Sequence, residues 1–296
     1  MYFIFYALFY IVSLTPWWAL YLLSDFAAFL LQHIIRYRVE VVKNNLLIAF
    51  PEKTDKERTK IANEFYQQFT DSFIETIKLI SVSKKTFEKR FTSNIEVLNE
   101  LYSKGQNVQI MAGHFFNWEY ANWGVAKYSH FPFIAVYMPL KNKYFNRLIL
   151  DMRARYGSIM VPATSFRTQF HKYANLQPYA MALAADQNPG DPMQAYWVSF
   201  FGQIIPFVKG PEKGSKMNNT AQVFVHFYRV KRGYYHSEYE VMTTKPKEFK
   251  DGALTALYVK TLEEKIKAHP SNYLWSHRRF KYQFDAQKHQ ALLVHA

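Results

Sequence analysis

The 296-residue chain contains no cysteine. Disulfides, thiol nucleophiles and cysteine-ligated metals are therefore excluded, although compartment is left open. Zinc-hydrolase spacing is missing too: the 10 histidines are scattered and none falls in an H-E-x-x-H pattern. No G-x-S-x-G turn offers a serine nucleophile, and Gly210 to Lys216 lacks the G-K-[ST] ending of a phosphate loop. There is no internal repeat and no low-complexity segment. A cleaved leader is not expected, because no basic stretch precedes the first apolar run and no small-residue cleavage site follows it. Acidic side chains are few beside basic ones. The 23 Asp and Glu against 37 Lys and Arg leave a formal charge of +14, which favours an anionic partner: nucleic acid, an acidic membrane surface, or an anionic substrate or carrier.

What is present is size and aromatic bulk. The length fits one large domain, or one domain with an appendage, and the composition includes 26 Phe and 22 Tyr. Residues 2–23 carry no charge, and the first acidic residue is Asp25. As one helix they would extend about 33 Å, enough for a bilayer core. Tyr2, Tyr6, Tyr10, Trp17, Trp18 and Tyr21 are amphipathic aromatics that favour a lipid interface, and Arg36, Arg38 and Lys43 follow as a basic, cytoplasmic flank. The expectation is a membrane-anchoring helix, kinked or split at Pro16; a buried core helix is the competing reading.

Beyond it, 37–50 reads as a basic amphipathic helix, and Thr54 or Asp55 caps a long helix whose apolar positions run from Ile61 to Ile80. Strands then alternate with helices: strands at 108–112, 133–137, 159–161 and 179–185, helices at 118–127, 142–156 and 165–173. An irregular strand pair surrounds Gly202, a hairpin turns at Lys231-Arg232-Gly233, and a late helix covers 253–267. This alternation predicts an α/β fold with a mixed, largely parallel central sheet and helices on both faces.

The chemistry gathers after the strand 108–112. Gly113 ends it, His114 follows, and a helix opens near Asn117 with Glu119 in its first turn. A histidine at the rim of a sheet with a carboxylate close by reads as a general base with an orienting partner, although the pair alone also fits a surface loop. Asp186, with Gln187 beside it, leaves the strand 179–185. If the two strands are parallel neighbours, it emerges at the same rim as His114. Lys141, Lys143, Arg147, Arg153 and Arg155 concentrate positive charge suited to phosphate or a carrier, or simply form a solvated helix face. Asn272 to Lys281 combines Trp275, His277 and three cations, either for a head group or as a basic closure of the fold.

Taken in order, these residues resemble the glycerolipid and lysophospholipid acyltransferase superfamily, in its branch of late bacterial lipid A biosynthesis acyltransferases. Gly113-His114-Phe115-Phe116-Asn117-Trp118-Glu119 is similar to the superfamily's histidine, four residues, acid motif. Arg36 to Val39 and Asn44 to Pro51 resemble the branch's N-terminal signature, Asp186-Gln187 and Phe200-Phe201-Gly202 its central block, and Trp275 to Lys281 its C-terminal block. Residues 213–219 depart from the usual smaller, more apolar pattern, which leaves the acceptor pocket open. The resemblance, which covers roughly 34–281, implies an acyltransferase domain, taken as 36–285, between the expected anchor over 1–35 and a polar tail over 286–296. It further implies a membrane-associated enzyme that moves a fatty acyl chain from an acyl thioester to a lipid or glycolipid hydroxyl, foremost a lipid A precursor, with a phospholipid or aminolipid acceptor as the alternative. His114 would be the base, and Glu119 or Asp186 would orient it. Asn117, Arg147, Arg153 and Gln187 would bind substrate. Acyl carrier protein or coenzyme A would supply the thioester as co-substrate, with no cofactor, metal or nucleic acid. The setting would be the bacterial inner membrane, with the catalytic domain on the cytoplasmic side. A non-catalytic basic protein that binds anionic lipid or nucleic acid is the rival from a different class.

Overall fold

The computed structural model describes residues 2–173, 176 and 178–294. The N-terminal apolar stretch is not one helix. Pro16 has no N–H and its ring collides with the preceding turn, so helices α1 (Tyr2–Leu14) and α2 (Trp17–Phe29) meet at a bend of 106°. Among the described residues no single helix is long and apolar enough to cross a membrane. The Lys78 ammonium donates to the Ser13 and Thr15 carbonyls at the end of α1, at 2.7 and 2.9 Å. Helix α2 buries Leu20, Ser24 and Ala28 inward and leaves Trp18, Leu22, Phe26 and Phe29 exposed.

Helices α3 (Val39–Ala49) and α4 (Asp55–Leu79) follow. Of the two expected caps, Thr54 and not Asp55 is the N-cap of α4, and with Glu57 it closes a capping box. Then come α5 (Lys84–Arg90), β1 (Phe91–Ser93), α6 (Glu96–Ser103), β2 (Val108–Ala112), α7 (Trp118–Tyr128), β3 (Phe133–Tyr137), α8 (Lys143–Arg153), β4 (Ile159–Pro162), α9 (Phe166–Gln169) and β5 (Ala180–Ala184). The remainder is β6 (Ala195–Phe200), β7 (Gln203–Val208), α10 (Gly210–Asn218), β8 (Ala221–Lys231), β9 (Tyr234–Thr243), α11 (Ala253–Ala268) and α12 (Ala286–His289).

Seven strands form one sheet in the order β1-β9-β8-β2-β5-β3-β4, parallel at every pairing except the β8–β9 hairpin. The expected largely parallel sheet is therefore present, with one edge strand, β1, that three residues were too short to announce. The expected irregular strand pair is a separate antiparallel hairpin, β6–β7, whose turn residues Phe201 and Gly202 have φ of 49° and 72°. Central β2 is buried on both sides. Gln109 and Met111 face α10 and α11, and Ile110 and Ala112 face α7 and α8. Residues 286–294, expected as a polar tail, fold back onto β6: His289 is buried against the Trp197 ring and the Val294 N–H donates to the Trp197 carbonyl. Residues 295 and 296 lie outside the described part.

Candidate active site

Strand register explains why His114 and Asp186 meet. Ala112 of β2 pairs with Ala184 of parallel β5, and each side chain of interest stands two residues beyond its member of that pair. Both emerge at the carboxyl end of neighbouring strands, where open α/β sheets place their ligands. Gly113 makes the turn possible: a Cβ there would lie 2.6 Å from the Leu262 side chain and 2.9 Å from the Phe115 ring. The loop is strapped from outside, with the Phe116 N–H donating to Asn272 O and the Leu274 N–H to His114 O, each at 3.0 Å.

Asp186 grips His114 twice. Its Oδ1 lies 2.6 Å from His114 Nδ1, and its Oδ2 accepts the His114 backbone N–H at 2.8 Å. Asp186 is 1% exposed, whereas the imidazole is 28% exposed and can reach a substrate. Burial works against the charged imidazole, but the Asp186 charge and hydrogen bond outweigh it and raise the His114 pKa above its ordinary 6.5. Burial likewise disfavours the Asp186 carboxylate, yet His114's charge and hydrogen bonds hold its pKa below the usual range. With Nδ1–H directed at the carboxylate, Nε2 carries the lone pair. That atom lies 3.2 Å from the Gln187 amide nitrogen, which is positioned to donate to it.

The acid of the linear motif does something else. Glu119 is buried and receives Arg153 through Nε at 2.8 Å and Nη2 at 2.6 Å, with Trp118 Nε1 donating at 2.9 Å. The carboxylate beside His114 is Asp186, because the first turn of α7 carries Glu119 toward α8. Two further expectations change. Asn117 is fully buried and does not face a substrate. Its Oδ1 caps α7 by accepting the Glu119 N–H, and its Nδ2 donates to Glu75. Arg147 lies on the outer face of α8, its side chain 64% exposed, over the Tyr2 ring and beside Asp151. It ties α8 to α1 and lies outside the cavity wall.

An apolar cavity of about 350 Å³ opens beside His114. Alanines at 112, 135, 182 and 184 keep the sheet side low, and Val125, Ile149 and Leu150 of α7 and α8 form the opposite wall. Arg153 and Glu119 border it, and exposed Met138 and Leu140 lie at its rim. The Asn272 to Lys281 segment is a closure: Trp275 and Arg279 are buried, and Arg279 donates to Asn188 Oδ1 at 2.7 Å and Pro206 O at 2.9 Å. Arg38 and Asn45 of the N-terminal block donate to backbone carbonyls at 275–277. These distant sequence blocks together hold the loop carrying Asp186. Glu75, Tyr258 and Tyr273 around the site escaped the sequence reading, since nothing local marks a helix or loop residue as facing a rim. Among the described residues no three His, Asp or Glu side chains cluster as a metal site would require.

A histidine oriented by a buried carboxylate, at the mouth of an apolar cavity, has the geometry that general-base chemistry requires. The comparisons make this specific. Residues 1–282 match the family described as bacterial lipid A biosynthesis acyltransferase, and the chain belongs to that family and is an acyltransferase. It is 24% identical over 253 residues, 83% of this chain and 80% of the relative, to the Escherichia coli (strain K12) lipid A biosynthesis palmitoleoyltransferase. It is similar to the same extent to the Shigella flexneri lipid A biosynthesis acyltransferase.

Proposed function

We propose that this acyltransferase moves a fatty acyl chain from an acyl carrier protein or coenzyme A thioester to a hydroxyl of a lipid A precursor, with His114 as general base. The observation that carries the reading is the His114–Asp186 pair at the mouth of the apolar cavity. The names of the relatives suggest the acceptor. The acceptor hydroxyl displaces the Gln187 amide from Nε2 and gives its proton to the imidazole as its oxygen attacks the thioester carbonyl. The resulting imidazolium, stabilised by Asp186, returns the proton to the leaving thiolate, and no acyl-enzyme forms. The backbone N–H groups of His114, Phe115, Phe116 and Glu119 are engaged elsewhere. Arg153, bordering the cavity with Nη1 outside its pair with Glu119, is therefore assigned to the developing oxyanion or an acceptor phosphate.

The cavity supports an acyl chain as occupant. Its volume of about 350 Å³ lies within the range of roughly 300–1,000 Å³ typical of small-molecule sites. The exposed apolar residues of α1 and α2, with the basic surface, support attachment to the cytoplasmic leaflet of the bacterial inner membrane. The bent pair would enter one leaflet there. The test is a thioester-release assay with acyl carrier protein and coenzyme A donors and fractionated bacterial lipids, beside His114→Ala. Release that requires one lipid fraction and falls by about 10²-fold or more in the variant, with folding intact, is expected. A phospholipid or aminolipid fraction serving instead would reassign the acceptor. Undiminished release from His114→Ala would refute the mechanism, and salt-sensitive nucleic-acid binding without release would favour a binding protein.

A further inference from the structure

Five acidic side chains are buried among the described residues: Asp71, Glu75, Glu119, Asp186 and Glu212. Four have a basic partner. Asp71 meets Arg229 and Arg232, Glu119 meets Arg153, Asp186 meets His114 and Glu212 meets Lys216. Glu75 is held by neutral groups alone: Tyr235 Oη at 2.6 Å, Asn117 Nδ2 at 3.0 Å and Tyr21 Oη at 3.0 Å. A carboxylate in the interior without a cation is costly. Burial, the largest influence, pushes the Glu75 pKa up to about 7 against the three hydrogen bonds. The three donors show what the carboxylate holds.

The three donors come from separate parts of the fold. Tyr21 lies on the exposed N-terminal helix α2, Tyr235 on β9, and Asn117 in the loop that carries His114. Asn117 is the link to chemistry. With Nδ2 fixed by Glu75, its Oδ1 is oriented toward the Glu119 N–H at 3.0 Å, which caps α7 and aims Glu119 at Arg153. We propose that Glu75 is a positioning residue for the acyl-transfer site: it fixes the Asn117 amide that caps α7, and through Tyr21 it makes the Glu119–Arg153 pair depend on how the N-terminal helix is seated. The inference rests on the functional reading above for its catalytic consequence, and on geometry alone for the cap.

The experiment compares wild type, Glu75→Gln, Tyr21→Phe and the double variant Glu75→Gln/Asn117→Asp. It records kcat and KM for the thioester, together with amide hydrogen exchange in the first turn of α7. Glu75→Gln is expected to lower kcat about tenfold, as the weakening of a charge-assisted hydrogen bond to a neutral one would, with thioester KM nearly unchanged and exchange faster by a similar factor. Tyr21→Phe moves both quantities the same way by less. The double variant recovers both, since the Gln amide can donate to the introduced carboxylate, whose other oxygen still caps the helix. Wild-type exchange in Glu75→Gln overturns the proposal whether or not transfer is observed, and so does a double variant no better than Glu75→Gln. Faster exchange in a protein whose wild type transfers nothing leaves the cap standing and defeats the functional reading instead.

Discussion

Replacing Asp186 by Asn keeps the volume of the side chain and removes its charge. The two oxygens have different tasks, one 2.6 Å from His114 Nδ1 and the other 2.8 Å from the His114 backbone nitrogen, and both face N–H donors. An amide serves only one of them. If its oxygen stays on Nδ1, its NH₂ opposes the backbone N–H; if it flips, the NH₂ points at Nδ1 and favours the tautomer with the proton on Nε2. Separately, the imidazolium formed during transfer loses a unit charge about 4 Å away, worth about 4 kcal/mol at an effective dielectric near 20. At about 1.4 kcal/mol per decade this gives a drop in kcat of about 10³. The pH profile supplies an independent check. A base must be neutral, so activity rises with pH through the His114 pKa, which lies above 6.5 in the wild type. Because folding raises the His114 pKa from 6.5 and lowers that of Asp186 from 3.8, the ion pair contributes stability fully between those two values, loses it as pH climbs through the folded His114 value, and loses it again as pH falls through the folded Asp186 value. In Asp186→Asn the acidic limb of kcat against pH moves down toward or below 6.5, since burial remains and the carboxylate does not. Steady-state thioester release from pH 5 to 9 measures both, on the order of the usual titration range of histidine. A kcat within about threefold of wild type and an unmoved limb would refute the reasoning.

Two further predictions follow from the same geometry. Arg153→Ala leaves Glu119 buried without its cation, so stability falls by about 3 kcal/mol and Tm by roughly 5 °C; an unchanged melting curve would show that the pair is not coupled to folding. Ala182→Leu adds a branched side chain to the sheet wall of the cavity. The preferred donor shortens by about three carbons, with each excluded methylene costing about 0.8 kcal/mol, as read by competition among thioesters of graded length; an unmoved preference would place the acyl chain elsewhere.

Strand and helix alternation from 108 onward was legible because a buried strand and an amphipathic helix announce themselves by local periodicity. β2 and β3 occupy the expected residues. The capping box at Thr54 and the hairpin at Arg232-Gly233 follow from turn and cap chemistry that few residue types supply. Strand β1 was missed because three edge residues carry no period, whereas the break expected at Pro16 is where α1 and α2 part, since proline removes a backbone donor. The blocks at Arg36 to Pro51 and Trp275 to Lys281 were visible as motifs, but their joint role in holding the Asp186 loop appears only once they touch.

By itself the sequence determined that a histidine stands just past a buried strand, that two acids are available to it, and that a basic, aromatic-rich chain surrounds them. Only the tertiary structure decided between the acids. Glu119 is five residues from His114 yet turns with α7 toward Arg153, and Asp186, 72 residues away, arrives through the parallel pairing of β2 with β5. The same holds for Asn117, Arg147 and Glu75. Spacing along a chain fixes which side chains share a helix face or strand edge, whereas the partner of a buried polar group is set by whichever distant element packs over it.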